Sequence, residues 1–140
     1  MTPSQIEAAA RRWASTLDND DFSELPRLMS PTCVYLSPGG QIDGPAPITE
    51  SYRSNSEWAH ETFDRIVWDS SVEVDSDDSA LVTFTDRTDH AGHQHVYRCQ
   101  QRVWFDEDGL IRRILHIDLE GETEALDAFF ATVGVTRPGA

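Results

Sequence analysis

Arg65-Ile66-Val67-Trp68-Asp69-Ser70-Ser71-Val72-Glu73-Val74 decides the fold. Ile66, Trp68, Ser70, Val72 and Val74 alternate with Arg65, Val67, Asp69, Ser71 and Glu73. A period of two puts each set on its own face of a strand. Before about residue 62 the apolar period is 3.6 instead. Downstream the strand pattern persists. Asp75-Ser76-Asp77-Asp78 reads as a turn, Ala80 to Asp89 as a second long strand and His95 to Phe105 as a third. Asp106-Glu107-Asp108-Gly109 is a tight D-G hairpin turn, and Leu110 to Leu119 is a fourth strand. Long strands joined by short turns pair antiparallel.

Upstream, Ile6, Ala9, Ala10, Trp13, Ala14 and Leu17 recur on one face of a helix, with Ser4 and Glu7 spaced as its capping box. Asp18-Asn19-Asp20-Asp21 ends it. A shorter helix then carries Phe22, Leu25, Leu28 and Met29, with Pro26 in its first turns and Pro31 closing it. Cys33 to Leu36 is a short strand. Ser37-Pro38-Gly39-Gly40 and Gly44-Pro45-Ala46-Pro47 are turns, and a third helix runs from Ile48 to Trp58. The last helix starts near Thr123, buries Leu126, Phe129, Phe130 and Val133, and stops at Gly134.

Helices segregated before an antiparallel meander mean an α+β fold. The sheet must curl around the N-terminal helices to bury one face. The expected result is a cone-shaped curved antiparallel sheet with an open mouth, a natural small-molecule pocket.

The 140 residues suit one domain, 1–140. Acids number 25 and bases 11, all of them Arg, for a net charge of −14. Such a surface repels phosphate backbones and anionic lipid, so neither nucleic acid nor membrane is an expected partner. No apolar run approaches the ~20 residues of a membrane span. Met1 to Gln5 lacks a basic segment followed by an apolar one, so a cytoplasmic location is expected. Cys33 and Cys99 fit no metal spacing and are expected to be free thiols.

The chain resembles the nuclear transport factor 2-like superfamily, a cystatin-like α+β barrel. That group includes ketosteroid isomerase, scytalone dehydratase, limonene epoxide hydrolase and the SnoaL-like polyketide cyclases. The resemblance runs from about Gln5 to Val133. It is carried by Arg12-Trp13 with Leu17-Asp18-Asn19-Asp20-Asp21, by Leu28-Met29-Ser30-Pro31-Thr32-Cys33-Val34-Tyr35, by Gly44 with Ile48 and Tyr52, and by Val103-Trp104-Phe105-Asp106-Glu107-Asp108-Gly109-Leu110-Ile111. These motifs specify fold far better than chemistry. Where the steroid isomerase needs a Tyr, a carboxylate and a sheet Asp, the resemblance places Trp13, Ser37 and Arg98. None can do that work. SnoaL-like cyclases use an Asp in a last-strand context like that of Asp118. The resemblance therefore implies a cofactor-free acid/base enzyme; no metal is expected either, because the turn histidines His90, His93 and His95 lack a fourth ligand at convincing spacing and neither Cys joins them. Its substrate would be a small, mostly apolar molecule, polyketide- or terpenoid-like. The reaction would be cyclisation, dehydration, isomerisation or epoxide opening. The alternative is a non-catalytic binding or dimerisation module of the same fold.

The candidate residues follow from strand faces. Ile114, His116 and Asp118 share a face, and an imidazole beside a carboxylate suits acid/base work. Pattern alone leaves that face open to pocket or water. On the third long strand Arg98, Gln100, Arg102 and Trp104 share one face, and Tyr97, Cys99, Gln101, Val103 and Phe105 the other. An inward Arg98 would need a partner such as Asp86; an outward one would suit dimer contacts. His116, Asp118, Arg98 and Tyr35 are the expected catalytic set. Trp13, Tyr52, Trp58, Phe84, Asp86, His95, Gln100 and Ile114 are the expected pocket lining. His90, His93 and His95 invite a metal reading, but Ala91-Gly92 marks a turn, so His90 and His93 are expected to flank an exposed tip, with His95, or alternatively His90, at the pocket rim. A homodimer is expected through the outer sheet face, where Trp68, Trp104 or Leu115 would lie.

Overall fold

The computed structural model describes residues 1–138. Helix α1 spans Pro3–Asp18, and a 3-10 turn spans Leu25–Leu28. Strands β1 (Met29–Ser37) and β2 (Gly40–Asp43) precede helix α2 (Pro45–Thr62). Four strands follow: β3 (Arg65–Val74), β4 (Ser79–His90), β5 (His93–Phe105) and β6 (Ile111–Asp118). Helix α3 (Glu122–Val133) comes last. The six strands form one sheet in the order β2-β1-β6-β5-β4-β3. The expected α+β architecture and its curved, unclosed sheet are present, and β3 to β6 form the expected meander. One pairing is parallel, β1 beside β6, with Tyr35 opposite Ile114, so the sheet as a whole is mixed.

Local differences have local causes. The capping box uses Thr2 and Gln5, not Ser4 and Glu7. Pro3 fits the first helical position, which moves the cap back to Thr2. The Thr2 hydroxyl accepts from the Gln5 amide, and the Gln5 side chain accepts from the Thr2 amide. The second helix shrinks to a single 3-10 turn, because Pro26 removes a donor where only one turn fits before Pro31. Met29 therefore starts β1 rather than ending a helix. Strand β2 has no counterpart in the sequence pattern: Ser37 pairs with Gly40 across a two-residue Pro38-Gly39 loop. Helix α2 begins earlier than Ile48, because Pro45 takes its first position after Gly44, whose φ of 93 suits glycine.

The inner sheet face is Ile66, Trp68, Ser70, Val72 and Val74 on β3, and burial alternates along the whole strand. On β5 the buried set is Cys99, Gln101, Val103 and Phe105. Trp68 thus points inward and cannot serve the outer face. Two apolar clusters result. One packs Ile6, Ala10, Trp13 and Leu25 against Val82, Phe84 and Val103. The other packs Ala59 and Phe63 against Phe129 and Phe130 of α3.

Candidate active site

A cavity of about 790 Å³ opens between the two clusters and takes lining from both. Tyr52 and Phe84 come from the first, Trp58, Phe63, Trp68 and Phe130 from the second. Its size suits a small molecule. Four polar groups interrupt the aromatic wall.

The first is the expected pair. His116 Nε2 lies 2.8 Å from Asp118 Oδ1, and both line the cavity. The His116 side chain is 18% exposed and that of Asp118 45%, so the carboxyl sits at the mouth, within reach of water. The second group is Gln101, which the sequence reading missed. It is 5% exposed, accepts from the Tyr52 hydroxyl at 2.6 Å and lies 3.3 Å from His116 Nδ1 through its Nε2. A glutamine in phase with Tyr97, Cys99, Val103 and Phe105 was a legible signal, since an uncharged amide on a core face needs partners.

The third group is Asp86, on β4 opposite Tyr97 of β5 and Trp68 of β3. Among the described residues its carboxyl has no hydrogen-bond partner. Burial, with smaller contributions from Asp18 and Asp69, pushes it up to about 7. The fourth is the acidic end of α1, which reading it as a helix stop concealed. Asp18 accepts from the Ser70 hydroxyl at 2.6 Å. Burial raises its pKa despite that bond. Asp20 accepts from Ser56 at 2.6 Å and lies 2.9 Å from His60 Nε2. These bonds tie α1 to β3 and α2, and so fix the cavity wall.

Tyr35 also lines the cavity, edge-on to Tyr52 at 5.9 Å between ring centres. Burial pushes its hydroxyl up to about 12, so it is a neutral donor. Of the expected lining, Tyr52, Trp58, Phe84 and Asp86 are in place. Four residues are elsewhere. Trp13 is fully buried behind the lining, edge-on to Phe84 at 5.6 Å and to Tyr52 at 6.4 Å. Ile114 is likewise sealed in the core. Gln100 is on the outer face and donates to Thr83. His95 is on the inner face but under α3, stacked on Phe129 at 5.0 Å. Arg98 is corrected as well: it is exposed on the outer face, opposite Thr85, and makes no pair with Asp86. The cause is strand phase, since the odd residues of β5 face inward.

His90 and His93 flank the Ala91-Gly92 turn, and His93 is exposed. Among the described residues no group of three or more His, Cys, Asp or Glu side chains is arranged to hold a metal ion. Cys33 and Cys99 are free and buried, and burial pushes both thiols up to about 12. No helix among the described residues is long and apolar enough to cross a membrane.

Three solved structures share this architecture. An epoxide hydrolase of the LEH-like kind from M. tuberculosis is 17% identical, with 94% of this chain and 96% of that chain covered and a TM-score of 0.65. AclR from Streptomyces galilaeus is 12% identical, with 95% and 98% covered and a TM-score of 0.69. A de novo designed protein with a curved β-sheet is 17% identical, with 94% and 99% covered and a TM-score of 0.64. At these identities the likeness is one of fold. No curated protein matches the chain. The family model of the SnoaL-like domain matches residues 10–114, from inside α1 to the middle of β6. The chain therefore belongs to the SnoaL-like domain family, within the nuclear transport factor 2-like superfamily.

Proposed function

We propose that the chain, acting as one domain, is a cofactor-free acid/base enzyme. It would add water to, or remove it from, a small, mostly apolar molecule, with epoxide opening as the best-fitting reaction. One observation carries this reading. A single aromatic cavity holds Asp86, whose carboxyl keeps its proton to about pH 7, and Asp118, which accepts from an imidazole. Two carboxyls in environments this different divide into acid and base.

Asp118 is the base. His116 Nε2–H occupies its Oδ1 and orients it, which leaves Oδ2 to take a proton from water at the mouth. The water oxygen attacks a ring carbon, the ring C–O bond breaks, and the leaving oxygen takes its proton from Asp86. The sum is one water added and a diol formed. The two strands are about 10 Å apart across the sheet, room for a substrate and one water between the side chains. Tyr35 steadies the oxygen by donating a hydrogen bond. The epoxide hydrolase fold-mate supports this choice among the family's reactions.

Cyclohexene oxide in isotopically labelled water tests the reading. Labelled diol should form with the native protein and roughly 10²–10⁴-fold more slowly with Asp86→Asn. Binding without turnover across apolar epoxides and hydroxyketones would overturn it in favour of a binding module. The proposal extends to a cytoplasmic homodimer built on the outer sheet face.

A further inference from the structure

Tyr52, Gln101, His116 and Asp118 form a hydrogen-bonded chain from α2 across β5 to the end of β6. Its direction can be worked out atom by atom. The Tyr52 hydroxyl donates to Gln101 Oε1. An amide NH₂ only donates, so His116 Nδ1, 3.3 Å away, must accept. The neutral ring then carries its hydrogen on Nε2 and donates to Asp118. Every hydrogen points the same way, toward the mouth, and the Tyr52 oxygen offers the cavity only lone pairs.

A second proton on His116 is incompatible with this arrangement. An imidazolium donates from both nitrogens, so Nδ1–H would face the Gln101 NH₂. A half turn of the carboxamide removes the clash, because its terminal torsion is broad and nearly two-fold. Gln101 Oε1 then accepts from Nδ1–H, and the NH₂ donates to the Tyr52 oxygen. The Tyr52 hydrogen is released to turn into the cavity.

We infer that Gln101 is a proton-coupled switch that makes Tyr52 an acceptor toward ligand when His116 is neutral and a donor when His116 is charged. In the neutral state the cavity reads a ligand hydroxyl; in the charged state it reads a carbonyl, ether or epoxide oxygen. Gln101 is a positioning residue in this scheme, acting through Tyr52. The inference stands on the geometry of four residues and not on the reaction proposed above.

Asp86 of β4, which burial pushes up to about 7, lines the same cavity and changes charge in the same range, so its contribution is removed with Asp86→Asn. For His116 the nearest charge is Asp118 on its own strand. Tyr35 of β1, Tyr52 of α2, and Tyr97 and Cys99 of β5 are all pushed upward by burial and stay neutral. Arg137, beyond α3, lines the same cavity and pairs with Asp127 at 2.7 Å. Glu122, at the start of α3, accepts from the Arg98 amide.

Nitrogen-edited NMR of the full chain from about pH 5 to 8, the range in which histidine titrates, reads the switch without ligand. Neutral His116 should carry Nε2–H, and the Gln101 side-chain amide should shift with the same midpoint as His116. Cyclohexanone, which can only accept, should bind about two- to tenfold more tightly once His116 is charged, the size of one neutral hydrogen bond. That gain should vanish in Gln101→Leu and in Tyr52→Phe. A neutral His116 with its hydrogen on Nδ1, Gln101 resonances that ignore the titration, or a gain that survives Gln101→Leu would each overturn the inference. If Gln101→Leu fails to fold, the NMR of the native chain still decides. A protonated Asp86 would also favour the ketone in acid, so the cyclohexanone series is run in an Asp86→Asn background; that variant loses the proposed catalysis but keeps Tyr52, Gln101, His116 and Asp118, so the two readings fail separately.

Discussion

Asp86, whose carboxyl lacks a hydrogen-bond partner among the described residues, shares one cavity with Asp118, whose Oδ1 lies 2.8 Å from His116 Nε2. The strands that carry them, β4 and β6, are separated only by β5. Cys99 lies directly opposite Asp118, and Tyr97 directly opposite Asp86. The inner face of β5 therefore acts as a floor between an acid and a base. A neutral hydrogen donor is kept on one side and an oriented acceptor on the other, a division that proton-transfer chemistry needs at neutral pH.

Removing either carboxyl should expose this division. Asp86→Asn and Asp118→Asn should each lower kcat/KM by roughly 10²–10⁴, the usual size of a general acid or base contribution. His116→Ala should cost less than Asp118→Asn, because it removes the group that orients the base and not the base itself. In the native protein kcat/KM should fall as pH rises past about 7, where Asp86 loses its proton. Asp86→Asn should abolish that limb. A limb retained in the variant would assign it to another group.

Stability should carry the same signature. Asp86 binds its proton more tightly in the folded chain than in the unfolded one. Its folded pKa is raised, so the unfolded chain releases the proton first. Stability is then full below about pH 4 and declines as pH rises toward about 7. Three units at about 1.4 kcal/mol each set the scale at about 4 kcal/mol. Asp86→Asn, neutral at every pH, should match the native protein near pH 4 and exceed it near pH 8 by roughly 2–4 kcal/mol. Urea unfolding at the two pH values measures this. Equal stability differences at both would show that Asp86 is not held protonated.

The fold was legible because its signals are periodic. Val72 and Trp68 are an even number of residues apart, and that parity alone placed them on one face. The site was only half legible because parity names two faces without saying which is inside. His116 and Asp118 were paired correctly by spacing. Spacing alone admits Arg98 as an inward residue, although it is out of phase with Val103 and Phe105, whose apolar character marks the buried face. Gln101 stands on that face but outside the expected lining, because a polar residue in phase with an apolar face resembles an interruption. Asp18 looked like a helix stop, and only tertiary packing reveals that it reaches Ser70 on β3. Thr2 displaced Ser4 as cap for a purely local reason, the fixed backbone angle of Pro3.

The histidine-rich turn should prove dispensable. His93 is exposed beyond Ala91 and Gly92, while the cavity lining contains His116. His93→Ala should leave turnover unchanged, and so should EDTA, because the proposed steps use only carboxyls and an imidazole. An EDTA-sensitive activity restored by a divalent metal would contradict the assignment, as would a His93→Ala variant that folds normally by circular dichroism yet loses turnover.

The outer face of the sheet sets the last expectation. Val67 of β3 lies opposite Arg87 of β4, and Arg87 lies opposite Val96 of β5. The two valines, 40% and 36% exposed, thus flank an arginine in one cross-strand row. Arg87 is paired with Asp69 at 3.0 Å, which lowers the cost of covering the row. Trp104, on the same face, lies under the Arg113 guanidinium at 4.9 Å. Two such faces meeting across a two-fold axis would bury all four valines. Sedimentation at micromolar concentration should give about 31 kDa, twice the 15.7 kDa chain. Val96→Glu puts a charge at one end of that row and should shift the particle to the chain mass. The cavity opens on the opposite face, so the variant should keep its ligand affinity. A native chain that sediments as a monomer, or a Val96→Glu variant that still sediments as a dimer, would remove this face as the interface.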